Sequence, residues 1–211
     1  MTDRLSLYNK ALLYCSETPL ASLADDAVAR HVLDAVWDGG AVAKILEEGY
    51  WNTALRTLEL DFDTDVEPPF GYARAFRHPD DLIRVNALTT DPYLTEPLLR
   101  YLDEAGYWYA DVDCLYVSYV SEDPAFGGDL ARWPASLAEA AARWLASVAA
   151  HGFNKAEAQI QRMELAAERA FTVARSRDAM NQPTRFPPAG RWTTARRGFG
   201  GQGRDPHSRC G

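Results

Sequence analysis

The chain changes character at Met180, and that change limits the folds open to it. Before it, Ile160, Met163, Ala167, Ala170 and Ala174 recur at steps of three and four, so they stack along one face of an α-helix that begins near Lys155. Such a face needs a partner to bury it. After it, Pro183, Pro187 and Pro188 each fix φ and remove a backbone donor, which excludes both a helix and a central strand. The large apolar groups there, Phe186 and Trp192, stand too far apart to form a core, and Arg177, Arg185, Arg191, Arg196 and Arg197 surround them. Residues 181–211 are therefore expected as an extended arm lying on another surface, with a flexible end. The plainer reading is a disordered Pro-rich terminus.

With 211 residues, 47% of them hydrophobic, the chain can bury a sizeable core in one ordinary domain plus an arm. It has no run of about 18 apolar residues. The stretch Met1 to Ser22 lacks the basic start and continuous apolar core of a signal peptide, so neither a membrane span nor secretion is expected. Cys15, Cys114 and Cys210 are far apart and show no CxxC spacing, which argues against a disulfide framework or a zinc site.

Charge is unevenly placed. The net value is −8, and the segment from Ser176 onward holds seven Arg against Asp178 and Asp205, or +5, leaving −13 on the first 175 residues. Such a body does not grip nucleic acid non-specifically, because phosphate binding rests on Lys and Arg that displace counterions. An acidic body with a basic arm suits contacts between copies.

Along the chain, Leu5, Tyr8, Ala11, Leu12 and Cys15 make one helical face, giving a first helix from Thr2 to Ser16. Asp25 or Asp26 can cap a second helix, in which Val28, Val32, Ala35, Val42 and Leu46 hold the stripe until Gly49, with Gly39 and Gly40 either bending it or permitting a close contact. From Thr57 the period becomes two, with Leu58, Leu60 and Phe62 alternating with acids. Asp61, Asp63 and Asp65 resemble the start of a calcium loop, but Val66 and Tyr72 stand where its Gly and Glu belong, so a solvated acidic strand face is expected. Short strands follow at 72–76, 83–89, 99–102, 107–110 and 115–120, read as one small antiparallel sheet. Leu137 to Val148 forms a further amphipathic helix. The expected class is α+β: a mainly helical bundle from 1–56 and 129–180, a small β-rich insertion at 57–128, and the arm.

Catalytic chemistry finds no footing. His31, His78, His151 and His207 fall in different elements and none sits in a nucleophile motif. The GFGGQG segment at 198–203 lacks the ending and preceding strand of a phosphate loop. The acid pairs Asp80-Asp81 and Asp111 with Asp113 lie where turns favour Asp. No enzyme, cofactor or metal is expected.

Five segments, in order, resemble the head-to-tail adaptors of tailed bacteriophages, the tail tubular protein A family of short-tailed phages. They are NKALLYCSETPLASLADD with ARHVLDAVWD (9–38), GYWNTALRT (49–57), PPFGYARAFRHPDDLIRV (68–85), DEAGYWYADVDCLYVSYVSEDP (103–124) and SRDAMNQPTRFPPAGRW (176–192). Two places depart from the family's pattern: Cys15-Ser16 replaces its usual Leu-Gly, and Gly39-Gly40 interrupts the second helix. Residues after Thr194 match nothing in it. The resemblance implies a structural virion protein of the tail or neck, assembled in the host cytoplasm, whose copies, typically twelve, ring the DNA ejection channel between the portal and the tail nozzle or a tail tubular protein B-like protein, with fibres as further neighbours. Duplex DNA would pass without sequence-specific binding and no membrane would be involved. The partner surface would comprise Arg177, Arg185, Phe186, Pro187, Pro188, Arg191, Trp192 and Arg196. Asp61, Asp63 and Asp65 would face the channel or tail. Two other readings stay open: a soluble scaffold or regulatory module whose basic Pro-rich arm binds a protein, and a hydrolase with an unrecognised site.

Overall fold

Alanine dominates one long helix, and the helices of the protein gather around it. In the computed structural model, which describes residues 2–181, the elements run α1 (Arg4–Cys15), α2 (Val28–Asp38), α3 (Ala41–Glu47), β1 (Leu55–Asp61), β2 (Arg74–Arg77), β3 (Leu82–Thr89), β4 (Leu102–Glu104), β5 (Tyr107–Ala110), β6 (Cys114–Ser121), a 3-10 turn (Leu130–Arg132), α4 (Ala135–Gly152) and α5 (Glu157–Met180). The class is α+β. Helix α4 buries Leu137, Ala138, Ala140, Ala141, Ala142, Leu145, Ala146, Ala149 and Ala150, positions spread around its circumference. A helix buried over most of its circumference is an interior helix, and its small side chains let neighbours approach closely. Helices α1, α2 and α5 all pack on it.

Local sequence explains the flanking helices. Asp3 caps α1 by accepting from the Ser6 amide, and the Ser6 hydroxyl accepts from the Asp3 amide in return. At the other end Ser16 adopts φ 57°, and the Glu17 amide reaches back to the Leu12 carbonyl. That is the left-handed closure glycine provides at lower cost. The single second helix expected from the stripe is two helices. Gly40, at φ 91°, breaks it, and the phase of the apolar pattern is lost across the break. The buried set is consequently Leu33, Ala41, Ile45 and Leu46, while Val28 and Ala35 are exposed. Neither Asp25 nor Asp26 caps α2. The Asp25 carboxylate binds the Ala21 and Ser22 amides and Asp26 pairs with exposed His31, leaving Ala27 at the cap without a side-chain bond.

The β region holds two three-stranded antiparallel sheets, β1-β6-β3 and β2-β5-β4, where the sequence led us to expect one. They pack face to face through Phe76, Trp108 and Ala110 of the second sheet and Leu115, Val117 and Tyr119 of the first. Odd-numbered residues of β6 point into this layer, and Val120 points the other way into the helical core, as the period of two requires. The expected strand at 99–102 is displaced to Leu102–Glu104, with Leu99 91% exposed. The turn Ala105-Gly106 has positive φ at both residues, which sets Glu104 opposite Tyr107 in a two-residue hairpin.

Asp81 ties the turn before β3 to the first sheet. Its carboxylate accepts from Arg56 of β1 at 2.9 Å, from the Tyr119 hydroxyl at 3.0 Å and from the Ser121 hydroxyl, and its carbonyl accepts from the Glu122 amide. Burial acts to raise its pKa, but the Ser121, Tyr119 and Arg56 donors outweigh burial and hold it below the usual value. Residues up to Asn181 form one compact unit. Among the described residues no helix is long and apolar enough to cross a membrane.

Because left-handed backbone costs a β-carbon residue about 1–2 kcal/mol and glycine gives back part of that in unfolded-state entropy, Ser16→Gly should stabilise the protein by about 1 kcal/mol. Thermal unfolding should register this as a melting point raised by about 2–4 °C. A lowered melting point would show that the Ser16 conformation carries no strain.

Candidate partner interface

Helix α5 covers α4 on one side only, and its two flanks stay open. Ile160, Ala167, Phe171 and Ala174 are buried against the core, with Met163 and Ala170 half-buried beside them. The face expected from the sequence is therefore the one that packs, with Phe171 and Asp178 added. Asp178 is 6% exposed and clasps the segment after α3: its Oδ2 accepts from the Asn52 amide at 2.9 Å and its carbonyl accepts from Asn52 Nδ2 at 2.8 Å. Trp51, fully buried, stacks near Phe171 with ring centres 6.4 Å apart. The GYWN stretch thus fixes the C-terminal end of α5 to the joint between α3 and β1.

On one flank, α5 forms with α1 and α4 an open groove of about 700 Å³ lined by Lys10, Glu139, Arg143, Arg169, Val173 and Arg177 among others. A smaller hollow carrying Tyr14, Arg162 and Met163 continues it, sharing Arg143 and Ala166. Glu139 is the one carboxylate in this lining and it is already engaged. The Tyr14 hydroxyl donates to it, Arg143 Nε donates at 2.9 Å, and the Arg143 guanidinium lies 4.5 Å from the centre of the Tyr14 ring. Burial pushes the Glu139 carboxyl upward, yet the Tyr14 and Arg143 donors prevail and hold it below the usual range. Among the described residues, Lys10, Arg162, Arg169 and Arg177 have no carboxylate within ion-pair distance. The groove is therefore a concentrated positive surface on an acidic body.

The other flank has the opposite sign. A groove of about 560 Å³ between α4 and α5 is lined by Glu48, Trp144, Val148, Glu164, Glu168 and Arg175 with Phe171. Arg175 is spent on Glu48, binding its carbonyl at 2.9 Å and its carboxylate at 3.2 Å, and among the described residues exposed Glu164 and Glu168 have no cation within ion-pair distance.

Of the partner residues expected from the sequence, Arg177 lies in the basic groove, exposed in the last turn of α5. Arg185, Phe186, Pro187, Pro188, Arg191, Trp192 and Arg196 lie outside the described residues. Asp61 ends β1 with its side chain exposed, Asp63 donates its amide to the Ala75 carbonyl at 2.7 Å and accepts the Asp65 amide on its carboxylate at 2.9 Å, and Asp65 is exposed. These carboxylates order a turn and remain at the surface of the β region. Among the described residues no three His, Cys, Asp or Glu side chains converge as a metal set. Of the acid pairs read as turn residues, Asp80 pairs with Arg77 at the surface, whereas Asp81 accepts from Arg56, Tyr119 and Ser121 of the first sheet as described above. His78 stacks on Trp108 at 4.0 Å between ring centres, 3.4 Å from the Asp103 carboxylate.

No protein-family model matches the chain, and no curated protein matches it significantly.

Burial raises the Asp178 pKa above the ordinary 3.8, against the lowering pull of the Asn52 donors. The folded state then holds this proton more tightly than the unfolded chain does. The residue's contribution is full below 3.8 and is lost as pH rises through the raised value. Asp178→Asn keeps an acceptor for the Asn52 amide and removes that titration. The stability of the wild type relative to this variant should therefore fall as pH rises above 3.8, then level off, with every other carboxylate cancelling in the difference. Paired denaturant titrations across pH check the sign, and a difference that grows with pH would contradict it.

Proposed function

We propose that this protein is a head-to-tail adaptor of a short-tailed bacteriophage, a non-enzymatic virion protein whose copies form a ring between the portal and the tail nozzle and line the DNA ejection channel. The observation that carries the reading is the ordered set of five sequence segments similar to the tail tubular protein A family, spread over most of the chain. Geometry supports it at two points. The GYWN segment locks α5 to the α3–β1 joint, and the DEAGYWYADVDCLYVSYV segment supplies the β4–β5 hairpin and the central strand β6, so the matched stretches fall on the joints that fix the fold.

In this reading the helices form the mainly helical bundle that faces the portal, and the two sheets, with Asp61, Asp63 and Asp65 at their surface, face the tail nozzle or its fibres. The body's charge of −13 lets duplex DNA slide through the ring without being held, since a channel rich in free cations would bind phosphates strongly. Residues 181–211 act as an extended basic arm that seats on the portal or a neighbouring copy. Its arginines, with Phe186 and Trp192, have the composition of an interface hot spot.

Mixing the purified protein with the portal of the same particle should give a closed ring on the portal by electron imaging, and a monomer indifferent to the portal would overturn the proposal. Deleting residues 182–211 should leave the melting of the remaining unit intact while abolishing attachment. Trp192→Ala should weaken attachment by about 2 kcal/mol or more, whereas Arg204→Ala and Arg209→Ala should change it little. A truncated protein that docks as well as the full chain would remove the arm from the account.

A further inference from the structure

Helix α5 is charged by side. At about 100° per residue, Arg162, Arg169 and Arg177 gather on one flank of its buried face and Glu157, Glu164 and Glu168 on the other, with the two flanks roughly 150° apart across the exposed side. The grooves beside the helix carry the same signs: Lys10 adds to the first, while the pairs Arg143–Glu139 and Arg175–Glu48 each cancel within their own groove. The free charges of both flanks lie on exposed side chains, and apolar groups stand beside them: Val173, 49% exposed, in the basic groove, Val148, 37% exposed, in the acidic one, and Leu165, 52% exposed, on the outer side of the helix. Arg162 and Arg169 are seven residues apart, as are Glu157 and Glu164, so each flank offers a pair of charges at the same spacing of about 10.5 Å along the axis.

We infer that the acidic flank of α5 in one copy docks in the basic groove of a second copy, so that the protein associates with itself head to tail through this helix. Three features single out a second copy as the occupant. The two surfaces have opposite sign and equal charge spacing. Both lie on one rigid helix fixed to the core. The body's net charge of −13 disfavours random approach of two copies, so an interface must locally overcome that repulsion, and the basic groove is where free cations concentrate. A contact between different surfaces is heterologous. It repeats from copy to copy, and flanks nearly opposite each other place successive copies side by side until the array closes. The inference deepens the ring reading by assigning its inter-subunit contact to α5.

Two double variants test it, both at exposed positions: R162E/R169E, which reverses the pair on the basic flank, and E157R/E164R, which reverses the equally spaced pair on the acidic flank. Circular dichroism and melting first establish that each keeps the wild-type fold. Sedimentation velocity at low salt, over a concentration series, then reads association. The wild type should associate, and added salt should weaken this. Each variant alone should sediment as a monomer, with apparent affinity reduced at least tenfold. Their equimolar mixture should associate at least as tightly as the wild type, because every contact between unlike variants restores opposite charges. A mixture as monomeric as its components, or variants that associate as well as the wild type, would overturn the inference, as would a wild type that remains monomeric throughout. If the mixture associates but no ring forms on a portal, the α5 contact stands and the adaptor role falls. If rings form on the portal while the mixture stays monomeric, the adaptor role stands and this contact is wrong.

Discussion

Everything in the helical half depends on how closely other elements can approach α4. Its buried positions are mostly alanines, spread round the helix, and they give α1, α2 and α5 surfaces without long side chains to hold them off. The larger residues that fill the core come from the neighbours: Leu7, Tyr8 and Leu12 from α1, Leu33 from α2, Phe171 from α5. Enlarging α4 would force those side chains off their rotamers, at about 1–3 kcal/mol for each overpacked site. The sheets attach to the same core through Trp51, Ala54 and Val120, so strain introduced at α4 would reach the β layers through β1 and β6.

A packed centre of this kind decides what remains for recognition. Helix α5 lies on the outside of α4 and can bury only one face, so its polar flanks border the grooves that the packing leaves. Glu139 and Arg175 show how charges inside the fold are consumed by local partners. Arg162, Arg169, Glu164 and Glu168 show charges that the fold leaves unused. Uncompensated charges of opposite sign on the two sides of one rigid helix are a directional feature, and direction is what an assembly of identical copies needs.

Periodicity made the helices legible. The stripe Ile160–Ala174 marks the packed face of α5, and the alternation from Leu58 marks β1. Four things escaped it. The Gly39-Gly40 break resets the helical phase, so a stripe continued across it selects Val28 and Ala35, which are exposed, and passes over Leu33 and Ile45. The second sheet was hidden because consecutive buried residues such as Trp108, Tyr109 and Ala110 show no alternation, as happens where a strand is covered on both faces. The charged flanks of α5 recur in the sequence at steps of seven, eight and four, but charges at helical spacing mark any solvated helix face, and only the grooves beside the helix distinguish the two sides. Asp178 and Asp81 escaped because burial of a carboxylate is decided by distant partners, Asn52 in one case and Arg56, Tyr119 and Ser121 in the other, which no local pattern announces.

The central claim is that this chain sits as a ring of copies between portal and tail, touching its neighbours through α5. Imaging the neck of the assembled particle at side-chain resolution tests it most directly. The account predicts repeated copies of this fold around the channel, with Glu157 and Glu164 of each copy facing Arg162 and Arg169 of the next, and residues 182–211 seated on the portal or a neighbour. Particles whose neck lacks this chain would contradict the account, and so would a ring in which both flanks of α5 face solvent.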